Sequence, residues 1–125
     1  MIEISGKVIS GDKFGRTLGF PTVNLDRRQY VRQKMKVKLG VWAGAVRILN
    51  SKLKILNYPA GIVIGPIDNK GLPKIEAHLI GFTGNLYGKK VTITLKKFIR
   101  TFKKFNNVEA LKRQIAKDIA AVKKV

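Results

Sequence analysis

The sequence has no cysteine. That excludes disulfides, thiolate metal sites and cysteine nucleophiles together, and it fits a reducing compartment. Acids are also scarce: 7 Asp and Glu stand against 26 Lys and Arg, for a net charge of +19 in 125 residues. No apolar run approaches the roughly 18 residues that a membrane span needs, and the longest are broken by Gly or Lys. The N-terminus carries Glu3 and alternates polar with apolar residues, unlike a signal peptide. Repeats, low-complexity tracts and domain linkers are absent as well. What is present is an ordinary 45% of hydrophobic residues, in a length that suits one domain. A chain this long can bury roughly two-thirds of its unfolded surface. The expectation is a single soluble, cytoplasmic domain over residues 1–125.

The basic excess is spread evenly. Residues 1–50 carry 10 basic and 3 acidic groups, residues 51–100 carry 9 and 2, and residues 101–125 carry 7 and 2. There is thus no basic tail or arm. Such a field attracts nucleic acid, an anionic membrane or a nucleotide triphosphate. It equally describes a chain that places Lys at solvated positions, so charge alone names no partner.

The first 100 residues read as short strands. Candidates run from Glu3 to Ser10, Gly40 to Leu49, Leu53 to Leu56, Gly61 to Ile64, Ile75 to Phe82 and Val91 to Ile99. The fifth alternates cleanly, with Ile75, Ala77 and Leu79 on one face and Glu76, His78 and Ile80 on the other. Gly84-Asn85-Leu86-Tyr87-Gly88 reads as a hairpin between the last two strands. Six strands with hairpin links and no intervening helices predict a mainly β fold: a small antiparallel, Greek-key-like barrel. The end differs. Leu111, Ile115, Ile119 and Val122 form a helical stripe, with Asn107 as N-cap, Glu109 in the first turn and Lys123 and Lys124 at the carboxyl end. A C-terminal helix over about 107–124 is expected to pack that stripe on the barrel wall.

One segment fits no strand: the stretch from Gly11 to Asn24 holds three glycines and a proline within eleven residues. Glycine-rich backbone can cradle phosphate, with Lys13 and Arg16 adding charge, or can simply be a surface loop. It is neither a Walker A loop nor a GxGxxG turn. Among the acids, Glu109 and Asp118 are explained by the helix. Glu76 is disfavoured mid-strand and calls for a reason, either an outward solvated side chain, paired with one of the many lysines, or a chemical role. His78 shares its face and reads as structural.

These residues carry a resemblance. Gly15-Arg16-Thr17-Leu18-Gly19-Phe20-Pro21-Thr22-Val23-Asn24 closely resembles the signature of riboflavin kinases of the bacterial and eukaryotic type. Later segments are similar too, and in the same order: Gly40-Val41-Trp42-Ala43, Glu76-Ala77-His78-Leu79, Leu86-Tyr87-Gly88-Lys89, Phe98-Ile99-Arg100 and Lys104-Phe105. The closing helix, with Leu111, Gln114, Ile115 and Asp118, completes a match over nearly the whole chain.

The resemblance implies a six-stranded antiparallel barrel with a C-terminal helix, and transfer of the ATP γ-phosphoryl group to the riboflavin 5′-hydroxyl, giving FMN and ADP. By position it implies that Thr22 and Asn24 bind Mg²⁺ with the nucleotide phosphates, as oxygen donors suit that hard cation. Gly15, Arg16, Leu18, Gly19, Pro21 and Thr22 would bind the nucleotide phosphates, and Glu76 would be the general base. Arg100 and Phe105 would lie on the flavin side. A monomer with neither a membrane nor a specific nucleic-acid partner is expected. The chain departs from the family at Phe102, where an acid is usual, and over Val63-Ile64-Gly65-Pro66-Ile67, where Asn-Ile-Gly is usual. Starting directly at the barrel, it is expected to lack the adenylyltransferase domain of many bacterial members and to stop at FMN, unless it is a fragment of a longer protein. The alternatives are a basic barrel that binds nucleic acid and a catalytically impaired flavin- or nucleotide-binding relative.

Overall fold

A computed structural model describes residues 2–9, 22–32, 37–49, 52–82 and 84–125. Its elements are β1 (Ile2–Ile9), β2 (Thr22–Leu25), α1 (Arg28–Val31), β3 (Gly40–Leu49), β4 (Ile55–Ile67), β5 (Pro73–Leu79), β6 (Lys90–Arg100) and α2 (Val108–Lys123). The strands close into one antiparallel barrel in the order β1-β2-β5-β4-β3-β6. Closure joins the first strand to the last, from Ile2 opposite Leu95 to Lys7 opposite Lys90.

Alternation builds the core. Inward positions of each strand are aliphatic: Ile4, Val23, Leu25, Val46, Ile62, Ile75 and Ile93 are all buried. Full burial of each large side chain contributes about 1.5–3 kcal/mol. The barrel interior is therefore packed, and ligand chemistry is confined to the outside. Gly44 lets β3 and β6 approach where their register shifts, because a Cβ there would collide with the Thr94 carbonyl and the Ile62 side chain.

The mainly β barrel and its C-terminal helix agree with expectation, but four details differ. Thr22–Leu25, inside the stretch assigned no strand, forms β2, paired with both β1 and β5. The segments read as separate strands at 53–56 and 61–64 merge into one long strand, β4, which starts at Ile55 and pairs with β3 from Ile55 to Ile64. Residues 84–88 do not make a hairpin: β5 pairs with β2 and β4, while β6 pairs with β1 and β3. Glycine-containing turn chemistry is local, whereas pairing partners are set by long-range burial. A short helix, α1, also falls between β2 and β3, where no helix was expected.

Helix α2 begins as the sequence predicts, with the Asn107 side chain accepting a hydrogen bond from the Ala110 amide. Its stripe turns toward β3 and β4, and Val122 is buried above Gly61. Arg100 at the end of β6 fastens the helix: Nε and Nη2 donate to the two carboxylate oxygens of Asp118 at 3.0 and 2.8 Å. Gln114 donates to the same carboxylate from one turn earlier. Among the described residues, no helix is long and apolar enough to cross a membrane.

Candidate active site

Strand alternation places the polar residues of β2 and β5 on the outside of the barrel. Inward Val23 and Leu25 leave Thr22 and Asn24 facing out; inward Ile75 and Ala77 do the same for Lys74, Glu76 and His78. The antiparallel register sets Thr22 opposite His78 and Asn24 opposite Glu76. Two residues 52 positions apart in sequence thus become cross-strand neighbours.

The β5 half of this face is partly covered. Helix α2 and residues 102, 103 and 105 stand over it and border a cavity of about 310 Å³. Its floor holds Lys74, Glu76 and His78; its walls include Val63, Arg100, Phe102, Phe105, Leu111, Ile115 and Ile119. Largely apolar walls around a few polar groups are what a small-molecule site requires. Glu76 is only 5% exposed, so the solvated alternative for this residue fails.

Both oxygens of Glu76 have partners on their own strand. Lys74 Nζ lies 2.6 Å from Oε2, and His78 Nε2 lies 3.1 Å from Oε1. Burial alone would raise the Glu76 pKa, but the hydrogen bonds from His78 and Lys74 outweigh it and hold the carboxyl below its usual range. Glu76 is therefore a buried anion at neutral pH. Each of its oxygens retains acceptor capacity, so a substrate hydroxyl can still donate to it.

Asn24 is nearly buried, at 8% exposed, beside that anion. Its amide oxygen and the Thr22 hydroxyl are neutral, hard donors on one strand face. They suit a cation such as Mg²⁺, which keeps waters and substrate phosphate oxygens in its shell. Among the described residues, no group of three or more His, Cys, Asp or Glu could hold a metal by itself.

Of the residues singled out in the sequence, the fold brings Thr22, Asn24 and Glu76 together, and Arg100 and Phe105 line the adjoining cavity. Arg100 does so with its guanidinium committed to Asp118. Gly15, Arg16, Leu18, Gly19 and Pro21 lie outside the described residues. Lys74 and His78 were missed as site residues. Their signal was present in the sequence: polar residues at 74, 76 and 78 share one face of a strand whose other face is apolar. Phe102, where the family has an acid, lays its ring against Gly65, at which a Cβ would come within 3.0 Å of Cε2.

The Flavokinase family model, described as riboflavin kinase, matches residues 1–125. The bifunctional riboflavin kinase/FMN adenylyltransferase of Escherichia coli K12 is 40% identical over 115 residues, covering 92% of this chain and 35% of that protein. The chain thus spans about a third of the length of the curated relatives it matches. Among solved structures, riboflavin kinase from Trypanosoma brucei superposes with a TM-score of 0.67 at 26% identity, over 98% of this chain and 77% of that one. A Streptococcus pneumoniae structure described as a macrolide-efflux protein gives a TM-score of 0.81 at 26% identity, over 98% of this chain and 38% of that one.

Proposed function

The chain belongs to the riboflavin kinase family, and from that premise we propose that these residues transfer the γ-phosphoryl group of ATP to the 5′-hydroxyl of riboflavin, giving FMN and ADP. The observation that carries the proposal is the buried, ionised Glu76 on the floor of a mostly apolar cavity, with Asn24 directly across the strand pair. In the reaction, the hydroxyl O–H bond breaks and a new O–P bond forms. The bond from the γ-phosphorus to its bridging oxygen breaks, ADP departs, and the proton passes to Glu76. Phosphoryl transfer asks mainly for positioning and charge neutralisation, so one carboxylate and one cation site suffice.

Thr22 and Asn24 would hold Mg²⁺ with the nucleotide phosphates, and that cation supplies neutralisation of phosphate charge when bound. The apolar walls, Val63, Phe105 and Ile115 among them, suit a flat aromatic ring system, with Arg100 and Phe105 on the flavin side. On the strength of their resemblance to the family signature, Gly15, Arg16, Leu18, Gly19 and Pro21 would bind the nucleotide phosphates in this proposal. The reading includes a cytoplasmic, monomeric working unit. Only the kinase activity is proposed for these residues.

The test is incubation with riboflavin, ATP and Mg²⁺, followed by chromatography. FMN and ADP are expected in equal amounts. Unchanged riboflavin under several divalent metals and nucleotide donors would overturn the proposal.

A further inference from the structure

Among the described residues, the hydrogen-bonding contact of the His78 ring is with Glu76. Its Nδ1 is buried and, among the described residues, is the one buried side-chain nitrogen or oxygen without a hydrogen-bond partner. A polar atom left unsatisfied in the interior costs free energy, and an apolar side chain on this outward, helix-covered face would avoid that cost. What the ring does have is Nε2, 3.1 Å from Glu76 Oε1. An ionised carboxylate only accepts, so the proton of this contact sits on Nε2. Lys74 takes the other oxygen from the opposite side along the strand. The carboxylate is thus gripped between residues two before and two after it. Its plane is fixed toward the cavity, although a glutamate has three rotatable bonds with which to turn away.

We propose that His78 is a positioning residue for phosphoryl transfer: its Nε2–H, acting with Lys74, holds the Glu76 carboxylate in the orientation that accepts the substrate hydroxyl proton. The proposal rests on Glu76 being the base. It assigns His78 no contact with the transferred group, so removing it slows the chemical step and leaves substrate binding alone. A base displaced by about 1 Å can lose on the order of 10²-fold in rate.

The experiment compares His78→Leu, His78→Gln, Glu76→Gln and the double variant Glu76→Gln/His78→Leu. Measurements are single-turnover FMN formation, riboflavin and ADP affinity by fluorescence and calorimetry, and thermal midpoints. His78→Leu is expected to lower the rate constant by about 10- to 100-fold, with affinities within about threefold and the midpoint near the parent's. His78→Gln places an amide N–H near the former Nε2 and should recover most of that loss. In the Glu76→Gln background, adding His78→Leu should change the rate by less than about twofold, because the histidine acts only through the carboxylate. Equal losses from His78→Leu in both backgrounds, or no recovery with Gln, would overturn the positioning role. A parent that makes FMN with a Glu76→Gln variant as fast as itself would instead remove Glu76 as base, which separates failure of the premise from failure of the inference.

Discussion

Asn24 on β2 stands directly opposite Glu76 on β5, so the residue assigned to the cation and the residue assigned to the proton are held by a single step of one antiparallel ladder. Backbone hydrogen bonding, not loop placement, sets their spacing. Sites built on strands are positioned more tightly than sites on loops.

Glu76→Gln preserves size and reach but removes the proton acceptor. Its single-turnover rate should fall by on the order of 10²–10⁴, the usual range for general-base catalysis. Riboflavin and Mg·ATP affinities should change much less. Stopped-reaction FMN assays beside binding isotherms check this; a rate within about threefold of the parent removes the assignment.

Asn24→Ala should leave the barrel folded and weaken Mg·nucleotide binding, with turnover falling and the Mg²⁺ requirement rising. Circular dichroism and a Mg²⁺ titration of the rate are the measurements. An unchanged Mg²⁺ dependence excludes Asn24 as a ligand.

Asp118→Asn breaks the fork that ties α2 to β6 and leaves the Arg100 guanidinium underpaired. Both side chains retain some exposure, 17% and 11%. The expected cost is therefore about 2 kcal/mol, less than the roughly 3–5 kcal/mol of a fully buried pair. Because α2 walls the cavity, the riboflavin KM should rise several-fold with little change in the Mg·ATP KM. Urea unfolding and steady-state kinetics measure the two effects.

Asp26 is drawn down from 3.8 to about 2 by hydrogen bonds from the Arg28 side chain and backbone amide. A depressed carboxyl stabilises the fold above its unfolded pKa, and that stabilisation is lost as pH falls through the folded value. Asp26→Asn should therefore have a lower urea midpoint than the parent at pH 7. The gap should close as pH drops from near 4 toward 2; a gap independent of pH contradicts the assignment.

The net charge of +19 predicts nonspecific RNA binding at low salt that fades steeply as salt rises. At about 0.15 M salt, where the screening length is roughly 8 Å, competing RNA should inhibit FMN formation only modestly. Strict dependence of activity on RNA would restore the nucleic-acid reading.

Features governed by near neighbours were legible in the sequence. The helix cap at Asn107, the stripe from Leu111 to Val122 and the two faces of Ile75 to Leu79 all arise from local periodicity. Strand β2 was not, because four residues of alternation after a run of glycines are too few to read as a strand. Pro59 and Gly61 split the apparent pattern of β4, although both lie within its continuous pairing with β3. The site was legible in part. Family resemblance supplied Thr22, Asn24 and Glu76, whereas the burial that makes the Glu76–His78 contact matter depends on the helix and the 102–105 segment that cover β5. The polar face at 74, 76 and 78 was visible in the sequence, but not that Glu76 on it is buried.

The joining of β1 to β6 also dictates when this molecule can begin to work. As the chain leaves the ribosome, β1 has only the Val8–Leu25 and Ile9–Asn24 pairings with β2 until β6 emerges. Contacts between residues so far apart are slow to form, and folds dominated by them typically take milliseconds to seconds. A nascent chain halted before residue 90 would carry the proton-accepting strand, but neither the strand that shuts the barrel nor the helix that roofs the cavity. The proposed site would thus stay incomplete until both β6 and α2 have been made.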